Sequence, residues 1–214
     1  MPASQIHLVR HGEVHNPDGI LYGRIPGYHL SELGHRMAAA AAASVKDRGR
    51  PVSRLISSPL QRAQESAQPF SELFGLPIET DDRLIEPTNK FEGRTFEFGP
   101  QVLTRPQAWP WVVNPFRPSW GEAYRSIADR MLAAIDDAWA HTESGDVVLV
   151  SHQLPIWTVA RELAGERLFH DPRKRRCHLS SITTLERTGN RFVEVSYQDP
   201  AAELLAQAVD NGAV

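Results

Sequence analysis

The chain has 214 residues, enough for one sizeable domain or at most two small ones. Hydrophobic residues make up 41% and charged residues 23%, an ordinary balance for a folded domain in water. A formal net charge of -3 excludes the overall basic field of a nucleic-acid binder, and the single cysteine, Cys177, excludes a disulfide within the chain.

The first predicted element is a short buried strand, Ile6 to Val9, followed by Arg10, His11 and a turning Gly12. A polar, glycine-bearing loop runs from Glu13 to Leu30. Ser31 has the chemistry of an N-cap, and the alanine-rich stretch Glu32 to Arg48 predicts a helix that Gly49 and Pro51 stop. Arg54 to Ser57 reads as a second strand. Ser58-Pro59 signals the start of a helix that carries Arg62 in its first turn and ends at Gly75. Ile78 to Thr80 is expected to be an edge strand.

Residues 87–120 differ in character, with six prolines and seven Phe or Trp residues. The stretch is too long for a simple connection and is expected to be a packed insertion or lid. A helix from about Glu122 to Thr142 follows, then the fully apolar strand Val147 to Val150, ending in Ser151-His152. A helix from about Pro155 to Ala164 precedes the basic run Arg173 to Arg176, expected to be a solvated loop. Strands near Ser181–Leu185 and Phe192–Tyr197 form a hairpin through Gly189-Asn190, and the tail after Pro200 has weak helical character. Alternating strands and helices, without an internal repeat, predict one α/β domain over 1–214. Its sheet is mainly parallel, with helices on both faces.

Three apolar strands lead to a cation or an imidazole: Arg10 with His11, Arg62, and His152. If those strands lie side by side and parallel, the four groups share one sheet edge, where open α/β sheets bind ligands. Arginine suits an anion there because its fork of donors matches phosphate oxygens. His7, His11 and His15 invite a metal reading, but no acidic cluster accompanies them, so neither a metal nor a cofactor is expected.

The blocks Leu8-Val9-Arg10-His11-Gly12-Glu13, Leu30-Ser31-Glu32-Leu33-Gly34, Ser57-Ser58-Pro59-Leu60-Gln61-Arg62-Ala63, Leu84-Ile85-Glu86, Phe91-Glu92-Gly93 and Val150-Ser151-His152 appear in order. Together they resemble the histidine phosphatase superfamily, the phosphoglycerate mutase-like family. The resemblance implies a three-layer α/β/α sandwich. It implies His11 as the nucleophile, Glu86 as the proton donor, and Arg10, Arg62 and His152 around the phosphate, with Asn16 as a further phosphate contact. Glu13 and Glu92 are the alternative carboxylates for the acid. In this chain Val14-His15-Asn16 and Pro87-Thr88-Asn89-Lys90 are each one residue shorter than the usual pattern, and Gln153-Leu154 stands where two glycines are common.

The expected activity is metal-independent hydrolysis of a small phosphate ester through a phosphohistidine. A cofactor-dependent phosphoglycerate mutase and a non-catalytic phospho-ligand-binding or scaffold module are the alternatives. Lys90, Arg94, Arg105 and Arg117 are dispersed among prolines and aromatics, which favours the phosphatase over a mutase that must hold a second anion. The expected partner is a small molecule, with no nucleic acid and no membrane, and self-association stays open. With no basic start followed by an apolar stretch, the expected location is the cytoplasm.

Overall fold

The computed structural model describes residues 3–89, 92–93 and 121–210. Most of the expected insertion at 87–120, including Lys90, Phe91, Arg94, Arg105 and Arg117, lies outside the described residues.

Six strands form one sheet: β1 (Gln5–Arg10), β2 (Val52–Ser57), β3 (Ile78–Thr80), β4 (Asp146–Ser151), β5 (Ile182–Thr188) and β6 (Arg191–Gln198). Their order is β3-β2-β4-β1-β5-β6. The pairs β2/β3, β2/β4 and β1/β4 are parallel, and the C-terminal hairpin adds antiparallel β5 and β6 at one side. The three apolar strands inferred to carry the chemistry are therefore neighbours at the centre of the sheet.

Side-chain alternation along these strands separates two cores. Ile6, Leu8, Val147 and Leu149 face one side, with α3 (Tyr124–Ala140) and α4 (Gln153–Leu163). Val9, Leu55, Val148 and Val150 face the other, with α1 (Glu32–Asp47) and α2 (Gln61–Phe74). This is a three-layer α/β/α sandwich. Ala41 and Ala42 of α1 share their core with Ala63 and Ala67 of α2. A short helix α5 (Ala202–Leu205) lays Leu204 and Leu205 near Leu33, Met37 and Leu179, seating the C-terminal tail against the start of α1.

Two helix starts differ from the sequence reading. α2 begins at Gln61 with no side-chain cap, because its N-cap residue is Leu60, while the Ser58 hydroxyl lies two residues earlier and pairs with His152 at 2.7 Å. α4 begins at Gln153, directly after His152, because Pro155 in its first turn needs no intrahelical N–H partner. The Gly75 stop of α2 holds, at φ 66° with its N–H on the Ser71 carbonyl.

Candidate active site

The parallel register brings the two site histidines together. Arg10 pairs with Ser151 across β1 and β4, and the His11 N–H donates to the Ser151 carbonyl at 3.1 Å, one step past the strand end. His152 follows Ser151, so the rings meet with centroids 5.1 Å apart and planes at 59°. Ser57 pairs with Val150, which brings the β2 exit, and with it α2 and Arg62, to the same edge.

The chain then turns where a side chain cannot fit. A Cβ on Gly12 would lie 2.4 Å from the Gly34 carbonyl oxygen, and one on Gly34 would lie 2.0 Å from the Glu13 oxygen. The loop after β1 thus crosses the first turn of α1 at backbone contact. Ser31 caps α1 by accepting the Gly34 N–H at 2.9 Å, and its hydroxyl donates to Glu13 Oε2 in a short hydrogen bond. Ser66, inside α2, accepts the Gly12 N–H at 3.0 Å and donates to the Arg62 carbonyl at 2.7 Å. The loop that presents His11 is clamped from both helices.

Glu86 comes from the connection after β3. Its backbone is pinned on three sides. The Leu84 carbonyl accepts from Ser151 Oγ at 2.7 Å, the Arg83 carbonyl from Arg130 Nη1 at 2.5 Å, and the Glu86 carbonyl from Arg24 Nε at 2.5 Å. The result is a fully buried carboxyl with Oε2 3.6 Å from His152 Nδ1.

Burial and charge set the protonation states. His11 is held well below the ordinary imidazole value, first by burial and then by the Arg62 and Arg10 guanidiniums. His152 is lowered in the same way, first by burial, then by Arg62. Both rings are neutral at pH 7. His11 Nδ1 lies 2.8 Å from the Gly12 carbonyl, which can only accept, so Nδ1 carries the proton and Nε2 keeps its lone pair. Burial pushes Glu86 up to about 7, against the opposing pull of Arg62 and Arg175. A neutral imidazole with its lone pair on Nε2 and a carboxyl protonated near neutrality thus lie among the charges of the Arg10 and Arg62 guanidiniums.

The arginines are braced at their ends. Arg62 Nη2 donates to the Gly23 carbonyl at 2.8 Å, and its guanidinium lies 4.7 Å over the Tyr22 ring. Arg10 Nη1 donates to the Cys177 carbonyl at 2.7 Å. Arg10 Nε, Arg62 Nε, His152 Nδ1 and Glu86 Oε2 are each buried without a hydrogen-bond partner. Native interiors rarely leave such atoms unmatched, and four on adjacent groups mark a place built for a polar ligand.

The remaining sequence candidates have partners of their own. Asn16 turns its amide onto Ile20, donating to the Ile20 carbonyl at 2.8 Å and accepting its N–H at 3.0 Å. Glu92 accepts the Arg24 N–H at 3.1 Å, and Glu13 the Val209 N–H at 2.7 Å. His7 is a core residue between Thr184 and Asp146, and His15 stacks on His29 with centroids 5.3 Å apart. Among the described residues no group of three or more metal-ligating side chains occurs. No described helix is long and apolar enough to cross a membrane.

The basic run departs from the solvated loop expected of it. Arg173 and Lys174 are exposed, but Arg175 is buried and donates to His170 Nε2 at 2.9 Å and Gln153 Oε1 at 3.2 Å, close enough to Glu86 for its charge to oppose the rise that burial causes there. Four consecutive basic residues give no local cue that one of them turns inward. Ser66, Tyr22 and Asp210 were likewise invisible in the sequence, because each joins the site through a contact distant in the chain, and Ser58, read there only as a helix start, meets His152 across 94 residues.

Comparison with known proteins gives a consistent placement. The family model described as the histidine phosphatase superfamily, branch 1, matches residues 6–200. The Mycobacterium tuberculosis (strain H37Rv) protein Rv0525 is 52% identical over 199 residues, covering 93% of this chain and 98% of that protein. A probable phosphoglycerate mutase, GpmB of Yersinia pestis (strain Pestoides F), is 30% identical over 187 residues, covering 83% and 84%. The solved structure of mycobacterial glucosyl-3-phosphoglycerate phosphatase in complex with VO3 superposes with a TM-score of 0.71 at 25% identity, covering 89% of this chain and 96% of that one.

Proposed function

Since the chain belongs to the histidine phosphatase superfamily, we propose that it is a metal-independent phosphomonoesterase that works through a phosphohistidine on a small phosphate ester. The observation that carries this reading is the set of four unpartnered buried atoms on Arg10, Arg62, His152 and Glu86 beside a neutral His11. That set complements a tetrahedral phosphate: N–H donors for its oxygens and a carboxylic acid for the ester oxygen.

In the proposed cycle, His11 Nε2 attacks phosphorus in line. The P–O ester bond breaks, and the leaving oxygen takes the proton of Glu86. Water then attacks the phosphorus of phospho-His11, giving its proton to Glu86 and releasing inorganic phosphate and neutral His11. Phosphoryl transfer asks mainly for positioning and charge stabilisation, which two guanidiniums and a second imidazole supply. Two buried guanidiniums beside the imidazoles also repel a divalent cation, so the donor set itself favours an anion over a metal.

The likeness to GpmB supports a mutase as the second reading. One experiment separates them. The protein is incubated with a 32P-labelled phosphate ester in EDTA, quenched, and assayed for label on His11 and for free phosphate. Label on His11 with phosphate release supports the phosphatase, and His11→Ala should be inert. Transfer to 3-phosphoglycerate faster than to water would support the mutase. Full turnover by His11→Ala, or its loss in EDTA with recovery on added zinc or magnesium, would overturn the mechanism.

A further inference from the structure

The guanidinium of Arg10 is gripped by the far end of the chain. Asp210 Oδ1 accepts from Nη2 at 2.6 Å and Oδ2 accepts from Nη1 at 2.8 Å, a bidentate pair across 200 residues. A guanidinium has two such edges, one formed by Nη1 and Nη2, the other by Nε and Nη2. Asp210 takes the first, and the Cys177 carbonyl takes the remaining Nη1 proton. Nε, on the second edge, is buried and has no partner.

The tail that delivers Asp210 is anchored. The Val209 N–H donates to Glu13 Oε1 at 2.7 Å, and that carboxylate also binds Ser31 at the cap of α1. Leu204, Leu205 and Ala208 pack with Leu33, Met37, Leu179 and Ala201. Asp210 and Val209 close a small cavity of about 20 Å³ with Asn16 and Tyr22, beside the ring that carries Arg62.

We propose that Asp210 is a positioning residue of the site: it holds the Nη1–Nη2 edge of Arg10 so that the Nε–Nη2 edge is presented to the phosphoryl oxygens. This rests on the proposed phosphatase function. Carboxylate and phosphoryl group take different edges of one guanidinium, so the tail completes the site and does not compete for it. An arginine fixed before substrate arrives gives its full donor geometry to the transition state.

The test combines turnover of p-nitrophenyl phosphate with orthovanadate binding by calorimetry, for wild type, Asp210→Ala, Asp210→Asn, Asp210→Glu, Arg10→Ala and the Asp210→Ala/Arg10→Ala double variant. Asp210→Ala should lower kcat by about tenfold or more, with a smaller change in KM, and weaken vanadate by a similar factor. Asp210→Asn, which keeps one acceptor, should fall between, and Asp210→Glu should recover part of the loss. Asp210→Ala should also lower the thermal midpoint, because it leaves the Nη1–Nη2 edge of a buried guanidinium without its carboxylate, so rates and affinities are compared per folded molecule at a temperature where every variant is folded. Removing Asp210 from Arg10→Ala should have almost no further effect, a non-additivity that general loosening would not produce. Higher turnover in Asp210→Ala would make the tail an inhibitor and overturn the proposal, as would additive losses. Vanadate bound tightly by a wild type without phosphatase activity would remove the functional reading and leave the positioning role to the binding arm. A wild type that neither hydrolyses the ester nor binds vanadate would overturn both.

Discussion

Glu86 shows how position sets the chemistry of a single carboxyl. Three carboxylates are candidates for the acid, but Glu13 and Glu92 each accept backbone N–H groups, whereas Oε2 of Glu86 is buried without a partner. Burial raises the Glu86 value to about 7, so the group is protonated in mildly acidic solution and loses its proton as the pH rises through neutrality. His11 is displaced the opposite way and stays neutral well below its ordinary value. The proposed reaction needs neutral His11 and protonated Glu86. The rate should therefore be highest on the acid side of neutral, with kcat/KM falling along an alkaline limb near pH 7. Glu86→Gln should remove that limb. It should slow hydrolysis of alkyl phosphates by about a hundredfold and of p-nitrophenyl phosphate far less, because a good leaving group needs no proton. Equal losses on both substrates would take the acid role away from Glu86.

At the scale of elements, the site depends on a crossing that leaves no room for side chains. The Gly12 and Gly34 backbones touch where the loop after β1 meets α1, and this contact sets where His11 sits relative to α2. Gly34→Ala would place a methyl 2.0 Å from the Glu13 carbonyl oxygen, a backbone atom that cannot move aside alone. The expected cost is about 3 kcal/mol, read as a lower urea midpoint, with a fall in kcat because the His11 loop shifts. Unchanged stability and activity in this variant would contradict the described crossing. Ser31 and Ser66 tie this loop to α1 and α2, and Ser58, after β2, meets His152 at the exit of β4.

At the scale of the whole molecule, the opposite end of the central sheet carries a separate polar node. Asp146, buried at the start of β4, accepts the Gln5 N–H at 3.1 Å and Arg50 Nε and Nη2 at 2.7 and 2.9 Å, and faces His7 Nε2 at 3.4 Å. It joins the beginnings of β1 and β4 to the lead-in of β2. Its pKa is lowered to about 2 from an ordinary 3.8, because the hydrogen bonds from Arg50 and His7 outweigh burial. A depressed carboxyl stabilises the fold above its unfolded value and loses that contribution as the pH falls through the folded one. Asp146→Asn should therefore cost roughly 2 kcal/mol at pH 7, and the gap to wild type should close between about pH 4 and pH 2. Urea unfolding across that range measures it. A gap independent of pH would show that the ionised carboxylate is not what matters. Activity per folded molecule should be unaffected, since the node lies at the other end of the strands.

The amino-acid sequence by itself determined most of the elements and marked the basic and imidazole side chains that follow the apolar strands. Apolar alternation marks β1 and β4, the alanines and Ser31 mark α1, and Gly75 and Gly189 mark their turns, all through interactions within a few residues. Arg10, His11, Arg62 and His152 were legible for the same reason, since each stands at or just after a strand exit. The order β2-β4-β1 that makes those exits neighbours comes only from the packed sheet. So do the neutral tautomer of His11, the raised Glu86 and the inward turn of Arg175, because burial and nearby charge are properties of the assembled core. Asp210 is the extreme case. It stands in an unremarkable polar tail, and its grip on Arg10 exists only once α5 has seated that tail against α1.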